Sequence, residues 1–329
     1  MKLIRKGAAD SAKLPLPACG ERVGVRGATR RTCAPHPSPL PVKPPRDAGV
    51  VGLPAYGERE PAAAVFAANR ARGKIMLAVK ASDGITRRDR LREEGPLRVR
   101  CPGPPSRELE AVIVNTAGGL AGGDRLEIEV LVQRGARLVV TTVAAEKIYR
   151  SLDADAVVDT HLKVGPGGAL AWLPQESILF DQARLARAID IELADDARLV
   201  FVEALVFGRS GMGEIVHRGR LRDHWRIRRS GNIVHAEAMR LDGEIAAKLK
   251  QPAVANGGLA VATVLILPGD EMMATAVRAL RPIFHGEAAA SAWKGMLAAR
   301  LCAADGGSLR HDLVAILAAV GVPLPRLWN

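Results

Sequence analysis

Aromatic side chains are scarce in this chain, at 3% of its 329 residues, so a core has to be assembled from Val, Leu, Ile and Ala. Cysteine is scarce too. Cys19, Cys33, Cys101 and Cys302 lie far apart with no C-x-x-C pair, which argues against a disulfide framework and against a structural zinc knuckle. The longest near-continuous apolar run, Leu259 to Leu267, is broken only by Thr263; it is too short to span a bilayer and reads as a buried strand. The opening MKLIRKGAADSAKLPL has basic residues but no apolar stretch of the kind a secretory signal needs. The expectation is a soluble cytoplasmic protein with no membrane partner. Hydrolytic motifs are missing as well: there is no G-x-S-x-G elbow and no H-E-x-x-H. His36, His161, His217, His224, His235, His285 and His311 fall at neither i, i+2 nor i, i+4 spacing, and each reads singly as an ordinary surface or core histidine.

Positive charge is abundant, with a net of +12. Residues 1–61 alone hold 11 Lys/Arg against 5 Asp/Glu, and the remaining excess is interleaved with acids such as Glu127, Glu129, Glu192, Asp195 and Asp196. No stripe combines basic residues with stacking aromatics, so a nucleic-acid partner is not expected. Ten of the 21 prolines lie in the first 68 residues, where no apolar periodicity survives. Such a segment buries too little apolar surface to offset its ordering entropy. It reads either as a disordered extension or as sequence upstream of the natural start, with residues 69–329 as the folded domain. A chain beginning near Ala67 is therefore expected to keep its melting temperature and its partner binding; a loss of several degrees would contradict this.

From Arg72 onward the pattern is that of strands. Gly73–Lys80, Leu109–Asn115, Arg137–Thr142, Ala169–Leu173, Ala188–Leu193 and Arg198–Val206 are short apolar segments separated by turn signals such as GPGG and ADDA. Leu126, Ile128, Val130 and Val132 alternate with polar neighbours, the period of a half-buried strand. A hairpin is expected over His224–Leu241 with Ser230-Gly231 as its two-residue turn. Arg229 then faces Asn232, and Trp225, Ile227, Val234 and Ala236 share an apolar face opposite His224, Arg226, His235 and Glu237. The Ala- and Leu-rich segments Glu271–Phe284, Glu287–Leu301 and Ser308–Val320 have helical spacing. The fold class is mainly β: a large β-sheet scaffold with two or three C-terminal helices packed on it.

Glycines 118, 119, 122 and 123, followed by Asp124, match neither a phosphate loop nor a dinucleotide fingerprint, and a strand rather than a helix follows. They read as a tight inter-strand connection, with Asp124 as a polar anchor at its exit. A second cluster, Gly208-Arg209-Ser210-Gly211-Met212-Gly213-Glu214, follows the apolar strand; Arg209 and Glu214 either pair or sit in solvent. Glu203 is harder to dismiss, because a carboxylate inside LVFVEALVF needs a partner or a wet cavity. Its structural reading is an ion pair with an arginine such as Arg209. Glu176 adds another carboxylate beside the turn at Pro174-Gln175. A carboxylate-dependent hydrolase using Asp124, Glu176 and Glu203 is the alternative these acids leave open.

The order NTAGGLAGGDRLEIEV, TTVAAEKIYR, LAWLPQESILF, EALVFGRSGMGE resembles the UreD (also called UreH) family of urease accessory proteins. GPLRVRCP (Gly95–Pro102) and the final PLPRLWN (Pro323–Asn329) also match family habits. Lys147, Tyr149 and Arg150 fit the family's T-K-x-Y-R block, whereas Glu146 stands where a small hydroxyl residue is usual. The resemblance implies a non-enzymatic, β-rich scaffold that assembles with UreF and the GTPase UreG and docks on apo-urease, with a homodimer formed through the assembled complex. It implies no tightly bound cofactor, with nickel as the transported ion moving along an internal passage. Asp124, Glu176, Glu203 and Glu214 are the carboxylates expected along it, since oxygen ligands inside a β scaffold pass a divalent cation that a His/Cys cage would trap.

Overall fold

The computed structural model describes residues 69–328; the expectation for residues 1–68 lies outside them. Two sheets face each other. One has seven strands in the order β14-β13-β11-β8-β5-β1-β2, ending at β2 (Ile85–Glu94), and the other has ten, following β16-β17-β15-β12-β9-β6-β4-β3, ending at β3 (Leu97–Arg100), with β7 (Glu146–Ile148) and β10 (Ser177–Leu179) at its side. The strands that build the centre of the first sheet are β1 (Arg72–Ser82), β5 (Arg125–Val132), β8 (Ala156–Val164), β11 (Arg184–Leu193) and β13 (Arg218–Arg229), all parallel to one another. In the second sheet β4 (Leu109–Asn115), β6 (Arg137–Thr142), β9 (Ala169–Trp172) and β12 (Arg198–Phe207) are likewise parallel.

Parallel neighbours need a crossover, which is usually a helix. Here the crossover from β4 to β6 is β5 of the opposite sheet, and β8, β11 and β13 continue the pattern, so the chain winds as a two-layer solenoid. The inward residues follow the two-residue period, as in Leu126, Ile128, Val130 and Val132 of β5 and Leu185, Ile189 and Ile191 of β11. They meet Leu199, Phe201, Leu205 and Phe207 of β12 in one core between the sheets.

The second sheet is covered on its outer side as well. Helix α2 (Glu271–Ala279), N-capped by Asp270, and α3 (Gly306–Ala319), N-capped by Asp305, bury Ala274, Val277, Leu309, Leu313 and Ile316 against Val202, Val206, Val264 and Ile266. That explains why β12 and β15 (Ala260–Leu267) read as near-continuous apolar runs, interrupted only by Glu203 and Thr263 beyond the terminal Arg198: both faces are buried. A short α1 (Ile245–Leu249) follows β14 (Asn232–Glu244). No helix among the described residues is long and apolar enough to cross a membrane.

Two expectations are corrected. Glu287–Leu301 is not a helix but the hairpin β16 (Glu287–Trp293) and β17 (Met296–Ala303). Its alanines suggested a helix, yet Lys294 and Gly295 both take positive φ, forming the two-residue turn that returns the chain. The second correction is the register of β13 and β14. The Ser230-Gly231 turn and the Arg229–Asn232 pairing are as expected, but a bulge follows: Arg228 faces Ile233 and Ile227 faces His235. The extra residue, Val234, flips everything beyond it. His235 and Glu237 therefore share the inner face with Trp225 and Ile227, where Glu237 meets Arg300 of β17.

Candidate functional site

Because β4, β6, β9 and β12 run parallel, the segments that leave their C-terminal ends emerge along one edge of the sheet. Those segments are the four sequence blocks. Gly119 lies under the Tyr149 ring: a Cβ there would stand 2.5 Å from Tyr149 Cε2 and 2.7 Å from the Lys147 carbonyl oxygen. At Gly122 a Cβ would fall 1.8 Å from Ser151 Oγ. Close approach of backbone is thus what the glycine cluster provides, and Gly118 and Gly123 add positive-φ turns. The Tyr149 hydroxyl donates to the Gly118 carbonyl, and its ring meets Phe180 edge-on at 5.2 Å. Arg209 stacks on the other block, 4.3 Å over Phe180, while its Nε donates to Glu214 at 2.7 Å. Gly208 and Gly213 bracket that loop with positive φ. Lys147 and Arg150 are exposed beside it.

The third block is tied down by the C-terminus. The Gln175 backbone N–H donates to Thr142 Oγ1, and its side chain binds the Leu327 carbonyl and Arg310. Arg310 also pairs with Glu176 at 3.5 Å and lies over the Trp328 ring. Trp328 Nε1 donates to the carbonyl of Leu173, next to Pro174.

Behind this edge, between the sheets, is a cavity of about 80 Å³ lined by Thr142, Glu146, Gln175, Ser177, Arg187 and Glu203 among others. Glu203 does form an ion pair with an arginine, but with Arg187 rather than Arg209. Its partners are Arg187 Nη1 at 2.5 Å and Trp172 Nε1 at 2.8 Å. Arg187 also clamps Asp223 with Nε at 3.0 Å and Nη2 at 2.6 Å, and Trp225 Nε1 donates to the same carboxylate. Arg187, Glu203 and Asp223 are 7%, 5% and 1% exposed, so one cation and two carboxylates share the interior. Burial raises the Glu203 pKa, Arg187 opposes that shift, and Asp223 adds to it. A larger cleft of about 710 Å³ opens between the sheets beyond this cluster, lined by Trp225, Met239, Thr263, Arg300 and Cys302; Glu203 lines both spaces.

The carboxylates expected along a passage are not gathered together. Asp124 accepts from the backbone N–H groups of Ala71 and Ala121, anchoring the loop exit. Glu176 faces Arg310, Glu214 faces Arg209, and Glu203 lines the cavity. Among the described residues no three His, Cys, Asp or Glu side chains could hold a metal ion together. Arg187 and Asp223 escaped the sequence reading, although Arg187 holds an inward position of β11 and Asp223 an inward position of β13.

Glu146 has a different setting. Its carboxylate accepts from Asn115 Nδ2, 3.1 Å from each oxygen, and burial pushes its pKa up to about 6, against the lowering effect of Asn115. A carboxyl whose pKa is raised on folding is stabilising while protonated, and that contribution is lost as pH rises from about 4.5 through about 6. Glu146→Gln is therefore expected to be more stable than the parent at pH 7.5, by roughly 1–2 kcal/mol. The difference should vanish near pH 4.5 in denaturant titrations run across that range; a gap that widens on acidification would contradict the burial argument.

The fold and this edge define a mainly β scaffold with helices packed on its second sheet, whose built features are loops, a cavity and a buried ion cluster. The chain belongs to the UreD family: the family model described as UreD urease accessory protein matches residues 71–329. It is 54% identical over 274 residues to the urease accessory protein UreD of Rhodopseudomonas palustris (strain BisB5), covering 82% of this chain and 97% of that protein. It is 51% identical over 264 residues to the UreD of Bradyrhizobium diazoefficiens, covering 80% and 96%.

Proposed function

We propose that the chain is a non-enzymatic scaffold that, with UreF and UreG, docks on apo-urease in the cytoplasm and assists insertion of nickel into its active site. On this reading the ion moves through the interior of the sandwich. The observation that carries it is Glu203, a buried carboxylate on the wall of two cavities, behind an edge where all four family blocks converge. Oxygen ligands of this kind hold a divalent cation weakly enough to release it. The hydrolase alternative gains nothing: Asp124, Glu176 and Glu203 each engage a different partner and form no acid–base pair.

Copurification of the full chain with UreF and apo-urease tests the assembly. The passage is tested by Glu203→Gln, which removes one buried charge and keeps the shape. The variant should still bind UreF while lowering the nickel content of urease in activation assays. Normal activation would take Glu203 off the path.

A further inference from the structure

Helices cover the outer side of the second sheet, but among the described residues none lies over the outer side of the first. That bare face ends in the β13–β14 hairpin. Leu221, Asp223, Trp225 and Ile227 point inward there, so Arg222, His224 and Arg226 point outward. The register sets Arg222 directly opposite Arg240 of β14. Like charges facing each other across two strands are destabilising. Little in the fold offsets this pair. Among the described residues Arg222, His224 and Arg226 make no ion pair, and Arg240 reaches Asp242 only at 4.0 Å, behind Arg220 at 3.3 Å. The flanking side chains are small: Ala186 and Ala188 of β11 stand beside Arg222 and His224, and Ala238 and Ala236 of β14 stand opposite His224 and Arg226.

Opposed guanidinium groups over a floor of alanines suit carboxylates. Each planar fork takes a carboxylate bidentately, and a partner that supplies one also relieves the Arg222–Arg240 repulsion. The small side chains let another backbone approach the sheet closely. The patch is also short, about 13 Å from Arg222 to Arg226 at the rise of a strand. Acids bound it at both ends. Asp242 lies at one, held by Arg220; Asp190 and Glu192 lie at the other, where Asp190 pairs with Arg228 at 3.3 Å and Glu192 with Lys163 at 3.2 Å. A nucleic-acid backbone running past the patch would meet those acids, and Trp225, the hairpin's aromatic residue, is buried on the other face where no base can stack on it. We propose that the outer face of the β13–β14 hairpin, centred on Arg222, Arg226 and Arg240, is a docking surface for a short acidic segment of a partner protein. Asp or Glu side chains of that segment pair with the three arginines. This assignment is independent of the passage reading above.

The test titrates the full chain, at low ionic strength, into a fluorescein-labelled peptide of alternating Glu and Ser and follows its anisotropy. Alternation places the carboxylates on one face of an extended peptide, and low salt leaves the attraction unscreened. The double variant Arg222→Gln, Arg240→Gln should bind at least tenfold more weakly and melt no lower than the parent, because the opposed charges are gone. The double variant Arg87→Gln, Arg90→Gln removes the same charge from exposed positions of β2, at the far edge of the same sheet, and should change binding less than twofold. Ala238→Glu offers the arginines a carboxylate from within the chain and should weaken the peptide while leaving every arginine in place. Equal losses in the two double variants would reduce the effect to net positive charge and overturn the site. No peptide binding by the parent, or none lost in Ala238→Glu, would overturn it too. Tighter binding of a labelled single-stranded RNA, lost in Arg222→Gln, Arg240→Gln, would make the patch a nucleic-acid surface and overturn the protein partner.

Discussion

Arg187→Met should lower the stability of the folded protein by about 3–5 kcal/mol, the cost of leaving buried charge without its partner. The variant removes the cation that pairs with both Glu203 and Asp223, themselves almost wholly buried, and leaves two carboxylates repelling each other across the core. Methionine fills most of the vacated space, so the loss is electrostatic rather than a cavity effect. For a folded region of this size the melting temperature should fall by roughly 5–10 °C. The deficit should shrink on acidification, because Glu203, whose pKa burial already raises, can then enter the core as a neutral acid. Neutralising the partners as well, with Arg187→Met, Glu203→Gln and Asp223→Asn together, should recover much of the loss. A single variant melting within two degrees of the parent would mean that the cluster is hydrated and cheap to break.

The arginine at the centre of that cluster illustrates what a single sequence reveals of this fold. Strands were legible where one face is wet, as in Leu126–Val132, and where both are dry, as in Leu259–Leu267, because burial writes the period directly. Pairing was not legible. Arg187 meets Glu203 at a separation of 16 residues and Asp223 at 36, and those contacts exist only because the solenoid stacks β11 against β13 and opposite β12. Local propensity misled at Glu287–Leu301, where alanine favours a helix but a Lys294-Gly295 turn and the edge of β15 impose strands. In the β13–β14 hairpin the turn was readable and the bulge was not. One unpaired residue, with no compositional signal, decided that His235 and Glu237 face inward. The site was legible as four ordered blocks, and their convergence followed from parallel stacking that no block contains.

The last of those ordered features lies at the C-terminus, and it carries the second large effect. Trp328→Ala should cost about 3–5 kcal/mol, the range for removing a buried aromatic side chain. Trp328 is 5% exposed and packs into the outer core with Leu173, Val139 and Leu313. Its Nε1–H also satisfies the Leu173 carbonyl at 3.1 Å, and Arg310 covers its ring while reaching Gln175. Alanine leaves a void, an unpaired carbonyl and an arginine without its stacking partner. Trp328→Phe separates these contributions: it keeps most of the apolar volume and loses the hydrogen bond, so it should cost only about 1 kcal/mol. The consequence is not confined to the C-terminus. Gln175 holds Thr142 from the same loop, and both line the interior cavity. On the function proposed above, loosening the Pro174–Glu176 turn should reduce urease activation at temperatures where Trp328→Ala is still folded, while Trp328→Phe activates normally. If Trp328→Ala melts like the parent, the C-terminal residues are an accessory to the fold rather than part of its core.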